Sequence, residues 1–119
     1  MARYLISFDR GWMRFPEADL PDVARDAHAV AQEAIDAGVL VFTGGIGDDD
    51  PTQVVGTDGA VTDGPWPETK ELVGGFMVVD VPTRDDAVAW AAKIAVACRC
   101  AQEVRAFLPD PFVDEFLAR

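Results

Sequence analysis

Histidine occurs once in this chain of 119 residues, as His28, and lysine only twice, as Lys70 and Lys93. Basic side chains number 10 against 21 acidic ones, which leaves a net charge of −11. Nucleic-acid binding rests on clustered Lys and Arg. The composition therefore argues against a nucleic-acid partner, and the same charge disfavours an anionic membrane surface. No apolar run approaches the roughly 20 residues that span a bilayer. The apolar part of the first nine residues is also too short for a secretion signal, so a cytoplasmic location is expected. Cysteine is confined to Cys98 and Cys100. A zinc site built on this C-x-C spacing needs two further ligands, and a structural disulfide is out of place in a reducing compartment. Both are expected to be small residues at a helix end, with redox or metal chemistry as the alternative. A glycine-rich loop that cradles phosphate is missing too, and the run Asp48-Asp49-Asp50 before Pro51 reads as a solvated turn, because three adjacent carboxylates cannot converge on one ion. No cofactor and no metal are expected.

What is present is the balance of a single soluble domain over residues 1–119, with half of the residues hydrophobic and 26% charged. Arg3 to Asp9 alternates as a strand, with Tyr4, Ile6 and Phe8 against Leu5 and Ser7. A loop over 10–20 follows. Pro21 suits the first turn of a helix that runs to about Ala37 and stops at Gly38. At about 100° per residue, Val23, Ala24, Ala27, Val30, Ala31, Ala34 and Ile35 share one face, with His28 at its boundary. Val39 to Ile46 reads as a central strand. Residues 53–56 and 60–62 read as a hairpin about Asp58-Gly59, and Val73 to Val81 as a strand. Thr83 caps a second helix, with Asp86 three residues on and Ala87, Ala91, Ile94 and Cys98 on its inner face. Glu103 to Leu108 is the last strand, and residues 109–119 form a tail in which Phe112, Phe116 and Leu117 make one or two helical turns.

Strand, helix, strand, hairpin, strand, helix, strand is the order of an α+β, ferredoxin-like domain, an antiparallel sheet with two helices on one face. Such a sheet must cover its other face, and Leu5 beside Ile6 and Met77 beside Val78 make the strands apolar on both sides. A homodimer is the expected partner arrangement.

The densest local signal is the stretch from Val61 to Phe76. It joins a turn (Asp63-Gly64-Pro65), an aromatic anchor (Trp66), Pro67, the ionisable Glu68, Lys70 and Glu71, and the pair Gly74-Gly75. That is more rigidity and polarity than a connection needs, and stiff loops are where binding residues collect. The stretch resembles the signature of the YCII-related family in its DGPF-domain branch, whose loop reads D-G-P-F-x-E-T-K-E followed by two glycines and a strand. Trp66 stands where that pattern has phenylalanine. Asp63, Gly64, Pro65, Glu68, Thr69, Lys70, Glu71, Gly74 and Gly75 match it. The resemblance implies a dimeric α+β barrel, in which two such sheets pack face to face.

His28 is the one side chain whose ordinary chemistry suits a proton shuttle near neutrality; the alternative is a histidine that simply edges the core. Arg25-x-x-His28 and Thr43-Gly44 resemble the histidine-bearing helix and following strand of the wider family. The resemblance implies a histidine that works with an aspartate in a cleft between helix and sheet. The family's second acid follows helix two; this chain reads Lys93-Ile94-Ala95-Val96-Ala97 toward the end of that helix and has no acid there. The candidate catalytic pair is therefore His28 with Asp63, and Asp63 has a turn role as its alternative. Trp66, Lys70 and Glu71 are the candidate ligand-binding residues: an aromatic wall, a cation for an anionic group and a rim charge. The cleft is expected between helix one and the signature loop.

Two functions are compatible with these residues. One is a small-molecule enzyme that moves a proton on a cyclic or carbonyl substrate, by analogy with lactone isomerases and dehalogenases on the same barrel. The other, implied by the family's association with sigma-factor-like proteins, is a non-catalytic ligand- or protein-binding regulatory module.

Overall fold

The computed structural model describes residues 2–47, 49–66 and 72–119. Four strands, β1 (Ala2–Asp9), β2 (Leu40–Gly45), β5 (Val73–Val81) and β6 (Glu103–Ala106), form one antiparallel sheet in the order β2-β5-β1-β6. The remaining strands β3 (Gln53–Val55) and β4 (Val61–Asp63) pair only with each other. Helices α1 (Leu20–Asp36) and α2 (Arg84–Cys98) follow β1 and β5, and a short α3 (Pro111–Leu117) ends the chain. Two β-α-β halves interleaved in this order make the ferredoxin-like arrangement.

Register explains which face became the core. Tyr4 lies opposite Val79, Ile6 opposite Met77, and Val104 opposite Ile6. These side chains all point toward the helices, where they meet Ala87, Ala91, Ile94, Ala97 and Cys98 of α2. Period-2 alternation on the strands and period-3.6 recurrence on α2 thus close on one another. Ile6, Met77, Val79 and Val81 are at most 1% exposed. Thr83 caps α2 as the sequence suggests: its hydroxyl accepts from the Asp86 amide at 3.2 Å, and the Asp86 carboxylate accepts from the Thr83 amide at 3.2 Å.

The opposite face carries Leu5, Phe76, Val78 and Phe42. Leu5 and Phe42 both lie opposite Val78, and the Phe42 and Phe76 rings are 5.8 Å apart. Phe42 is 57% exposed. Arg3 on this face holds α3 through Asp114 at 2.6 Å.

Four expectations need correction. Val39 to Ile46 does not supply a central strand: β2 lies at the edge of the sheet beside β5, and Val41 and Phe42 are exposed there. The segment 10–20 is not structureless, since it contains two short 3-10 turns at Arg10–Trp12 and Glu17–Asp19. Ile35 was placed on the buried face of α1 but is exposed, because α1 meets its neighbours through Val23 and Ala34 and turns Ile35 outward at its last turn. Trp66 is 65% exposed rather than a buried anchor. The β3–β4 hairpin that delivers it pairs with no strand of the main sheet among the described residues.

Candidate functional site

A cavity of about 360 Å³ opens between α1 and the sheet. On the α1 side its lining recurs at the helical period: Leu20, Val23, Ala24, Ala27, His28 and Ala31. Across from them stand Thr43, Gly44 and Gly45 of β2, Phe8 of β1, and Gly74 and Met77 of β5, with Ile94 and Cys98 of α2 at one end. The space opens where small residues meet, bordered by larger ones such as Leu20, Phe8 and Met77. Alanines on the helix face glycines on two neighbouring strands, and no side chain fills the gap between them.

The glycines have a second effect. A Cβ on Gly74 would sit 2.6 Å from Phe8 Cε2, and one on Gly75 would sit 3.1 Å from the same ring and 3.0 Å from the Gly44 carbonyl. The pair thus lets Phe8 lie close against β5 as a wall of the cavity, and the strand register shifts beside it, between Phe8 and Asp9. The signature's two glycines thus serve a close approach of Phe8 and of the Gly44 backbone to β5.

His28 stands on an exposed position of α1 and contributes to the lining. Its ring has no hydrogen-bond or ion-pair partner among the described residues. The other polar groups at the cavity are Thr43, whose hydroxyl donates to the Phe76 carbonyl at 3.0 Å, and Gln102, whose amide reaches Cys100 only at 3.5 and 3.6 Å. Burial pushes the Cys98 thiol from its ordinary 9.0 to about 11, with Cys100 adding to the rise and Arg99 opposing it. Cys98 is accordingly a neutral wall at pH 7, the small residue at a helix end that the sequence suggested.

The partners foreseen for His28 are placed elsewhere. Asp63 is exposed at the end of β4, opposite Gln53, and does not line the cavity. Gly64 donates its amide to the Thr52 carbonyl at 2.9 Å, and a Cβ there would meet Val54 Cγ2 at 2.9 Å. Asp63-Gly64-Pro65 therefore closes the β3–β4 hairpin rather than presenting an acid to the histidine. Trp66 is likewise outside the lining. Lys70 and Glu71 lie outside the described residues. The second wall of the cavity is the sheet, not the described part of the signature loop. Arg25 of the histidine motif is occupied on the surface, 3.2 Å from Asp22 and 3.6 Å from Asp26.

Asp9 was not foreseen as a functional anchor. Its carboxylate accepts from the amides of Gly11 at 2.7 Å and Leu72 at 2.8 Å, so it ties the end of β1 to the entry of β5 beside the cavity. An acid at the end of a strand before Arg10-Gly11 was the available signal. Among the described residues, no group of three or more His, Cys, Asp or Glu side chains gathers as metal ligands would, and no helix is long and apolar enough to cross a membrane.

A helix-to-sheet cavity edged by a lone histidine, on a ferredoxin-like sheet, defines a small-molecule-sized site on an α+β scaffold. A family model described as the YCII-related domain matches residues 20–109, from the start of α1 to just beyond β6, and the chain belongs to that family. No curated protein matches it.

Proposed function

We propose that this chain, a member of the DGPF branch of its family, binds a small molecule in the cavity between α1 and the sheet, and that His28 transfers a proton at its mouth. The observation that carries this is the lining itself. An apolar, largely preformed hollow with a few polar groups at one side is the usual form of a small-molecule site. The only side chain there suited to exchange protons near neutrality is His28. Asp63 has no part in this version of the chemistry; a proton would pass between His28 and ligand, with solvent on the histidine's exposed side as its source and sink.

The test is a fragment screen by ligand-observed NMR on the wild-type chain, on His28→Gln and on Ala31→Phe, which narrows the hollow. Hits should disappear in Ala31→Phe. They should persist in His28→Gln while any exchange of a ligand's acidic C–H into D2O stops. Hits indifferent to Ala31→Phe would overturn the assignment of the cavity. Exchange indifferent to His28→Gln would overturn the role of the histidine.

The partner in this reading is a second copy of the chain, seated on the uncovered sheet face. Leu5, Phe42, Phe76 and Val78 supply the apolar centre. Arg3, Asp80, Glu103 and Arg105 surround them with both signs of charge, so two copies need not meet like against like. Light scattering at micromolar concentration should give twice the chain's 12.8 kDa. A compact monomer would refute it.

A further inference from the structure

We infer that the cavity selects an uncharged ligand of one or two rings carrying a single hydrogen-bonding group, and that it rejects carboxylates and amines of the same shape. This rests on the cavity being a ligand site and goes further, to the ligand's chemical class.

Size sets the first limit. A dry apolar hollow of about 150 Å³ is enough to admit benzene, so 360 Å³ holds a ring with a substituent or a small fused pair. The flat Phe8 ring against Gly74 and Gly75 gives a wall suited to a planar body.

Charge sets the second. None of the described lining residues is Asp, Glu, Lys or Arg. The ion pairs of this part of the molecule are spent elsewhere: Arg99 is 2.8 Å from Asp26, Lys93 is 3.0 Å from Glu33, and Arg25 is held by Asp22 and Asp26. A carboxylate entering the hollow would surrender its water with no fixed cation among the described lining residues to meet it, inside a chain of net charge −11. An ammonium group would find no carboxylate among the described lining residues either. A neutral ligand loses little by comparison, and the hydrogen-bonding positions suit it. Thr43 keeps lone pairs free beyond its bond to Phe76, and Gln102 is held so loosely, at 3.5 and 3.6 Å, that its amide can turn to a ligand.

The experiment is an amide-resolved NMR titration of the full chain at pH 8 with benzyl alcohol, benzoate and benzylamine, three probes of one shape and three charges, and with 1-indanone as a two-ring neutral probe. Benzyl alcohol and 1-indanone should shift the amides of Thr43, Gly44 and Gly74 saturably, with benzoate and benzylamine at least tenfold weaker. Ala31→Phe, or Ala27→Leu should the first variant fail to fold, should abolish the neutral probes' shifts. If either charged probe binds within threefold of benzyl alcohol, the charge rule falls while the cavity remains a ligand site. If no probe moves those amides, both the rule and the proposed function fall.

Discussion

Replacing Gly74 by alanine places a methyl carbon 2.6 Å from Phe8 Cε2, 3.0 Å from Phe8 Cδ2 and 2.9 Å from Arg10 Cα. Carbon atoms rest at about 3.5 to 4.0 Å, so both neighbours must give way. The ring can swing, and the cavity it lines offers the space. The Arg10 backbone cannot follow easily, because its amide donates to the Leu72 carbonyl at 2.7 Å and Asp9 clamps the same corner. Overpacking of this kind costs about 1 to 3 kcal/mol. A Gly-to-Ala change returns about 0.4 to 1 kcal/mol by restricting the unfolded chain. The expected net loss is about 1 to 2 kcal/mol.

Gly45→Ala is the matched control. Its methyl would sit 4.0 Å from the Gly74 carbonyl, an ordinary contact, so its effect should stay within about 0.5 kcal/mol. Urea unfolding of the two variants, with slopes checked for equality, measures the difference. Phe8→Ala should shrink the Gly74→Ala penalty without erasing it, since the Arg10 contact remains. Equal midpoints for Gly74→Ala and Gly45→Ala would show that the glycine pair is not there for Phe8, and the account of the cavity wall would fail with it.

With its ring exposed, Trp66→Ala and Trp66→Phe should each change stability by no more than about 0.5 kcal/mol; a loss of several kcal/mol for the alanine would reveal a covered ring. Thr83→Ala removes the reciprocal cap of α2 and should cost about 0.5 to 2 kcal/mol by thermal unfolding, with Thr83→Ser close to wild type. Stability should also fall between pH 9 and 11. The folded Cys98 thiol keeps its proton up to about 11 whereas the unfolded thiol releases it from 9.0, so the contribution is complete below pH 9 and is lost as pH rises through about 11. Cys98→Ala should flatten that part of the profile, and an unchanged slope would refute the assignment.

Most of the fold was legible because its signals are local. Alternation in Arg3–Asp9, the cap at Thr83 and Asp86, and the Asp58-Gly59 turn each depend on neighbours a few residues away, and each appears where the sequence puts it. Gly59 does take the positive φ, 83°, that the turn requires. Ile35 and Trp66 were misjudged for the opposite reason. An apolar residue is buried only if a surface arrives to cover it. Nothing in the helical wheel of α1 says where its last turn leaves the sheet, and nothing in a Pro-Trp-Pro stretch says that its hairpin stands alone.

The site was half legible by the same logic. His28 could be singled out by chemistry alone, and its place at a cavity follows from lying one step off the apolar face of α1. The cavity could not be, because it is made by what is missing on two elements far apart in sequence: Ala24, Ala27 and Ala31 on α1, and Gly44, Gly45 and Gly74 on β2 and β5. Either row alone reads as helix propensity or as strand bending; only their juxtaposition leaves a void. Asp63 was attractive because turns and acids draw attention in sequence, yet Gly64's bond to Thr52 and its contact with Val54 give that corner a sufficient structural reason. In the proposed function, a histidine beside such a hollow, with no carboxylate in the described lining, would work with solvent and with the ligand itself. That is why a neutral ligand and a single proton-bearing group form a coherent pair here: each removes the need for the missing charge.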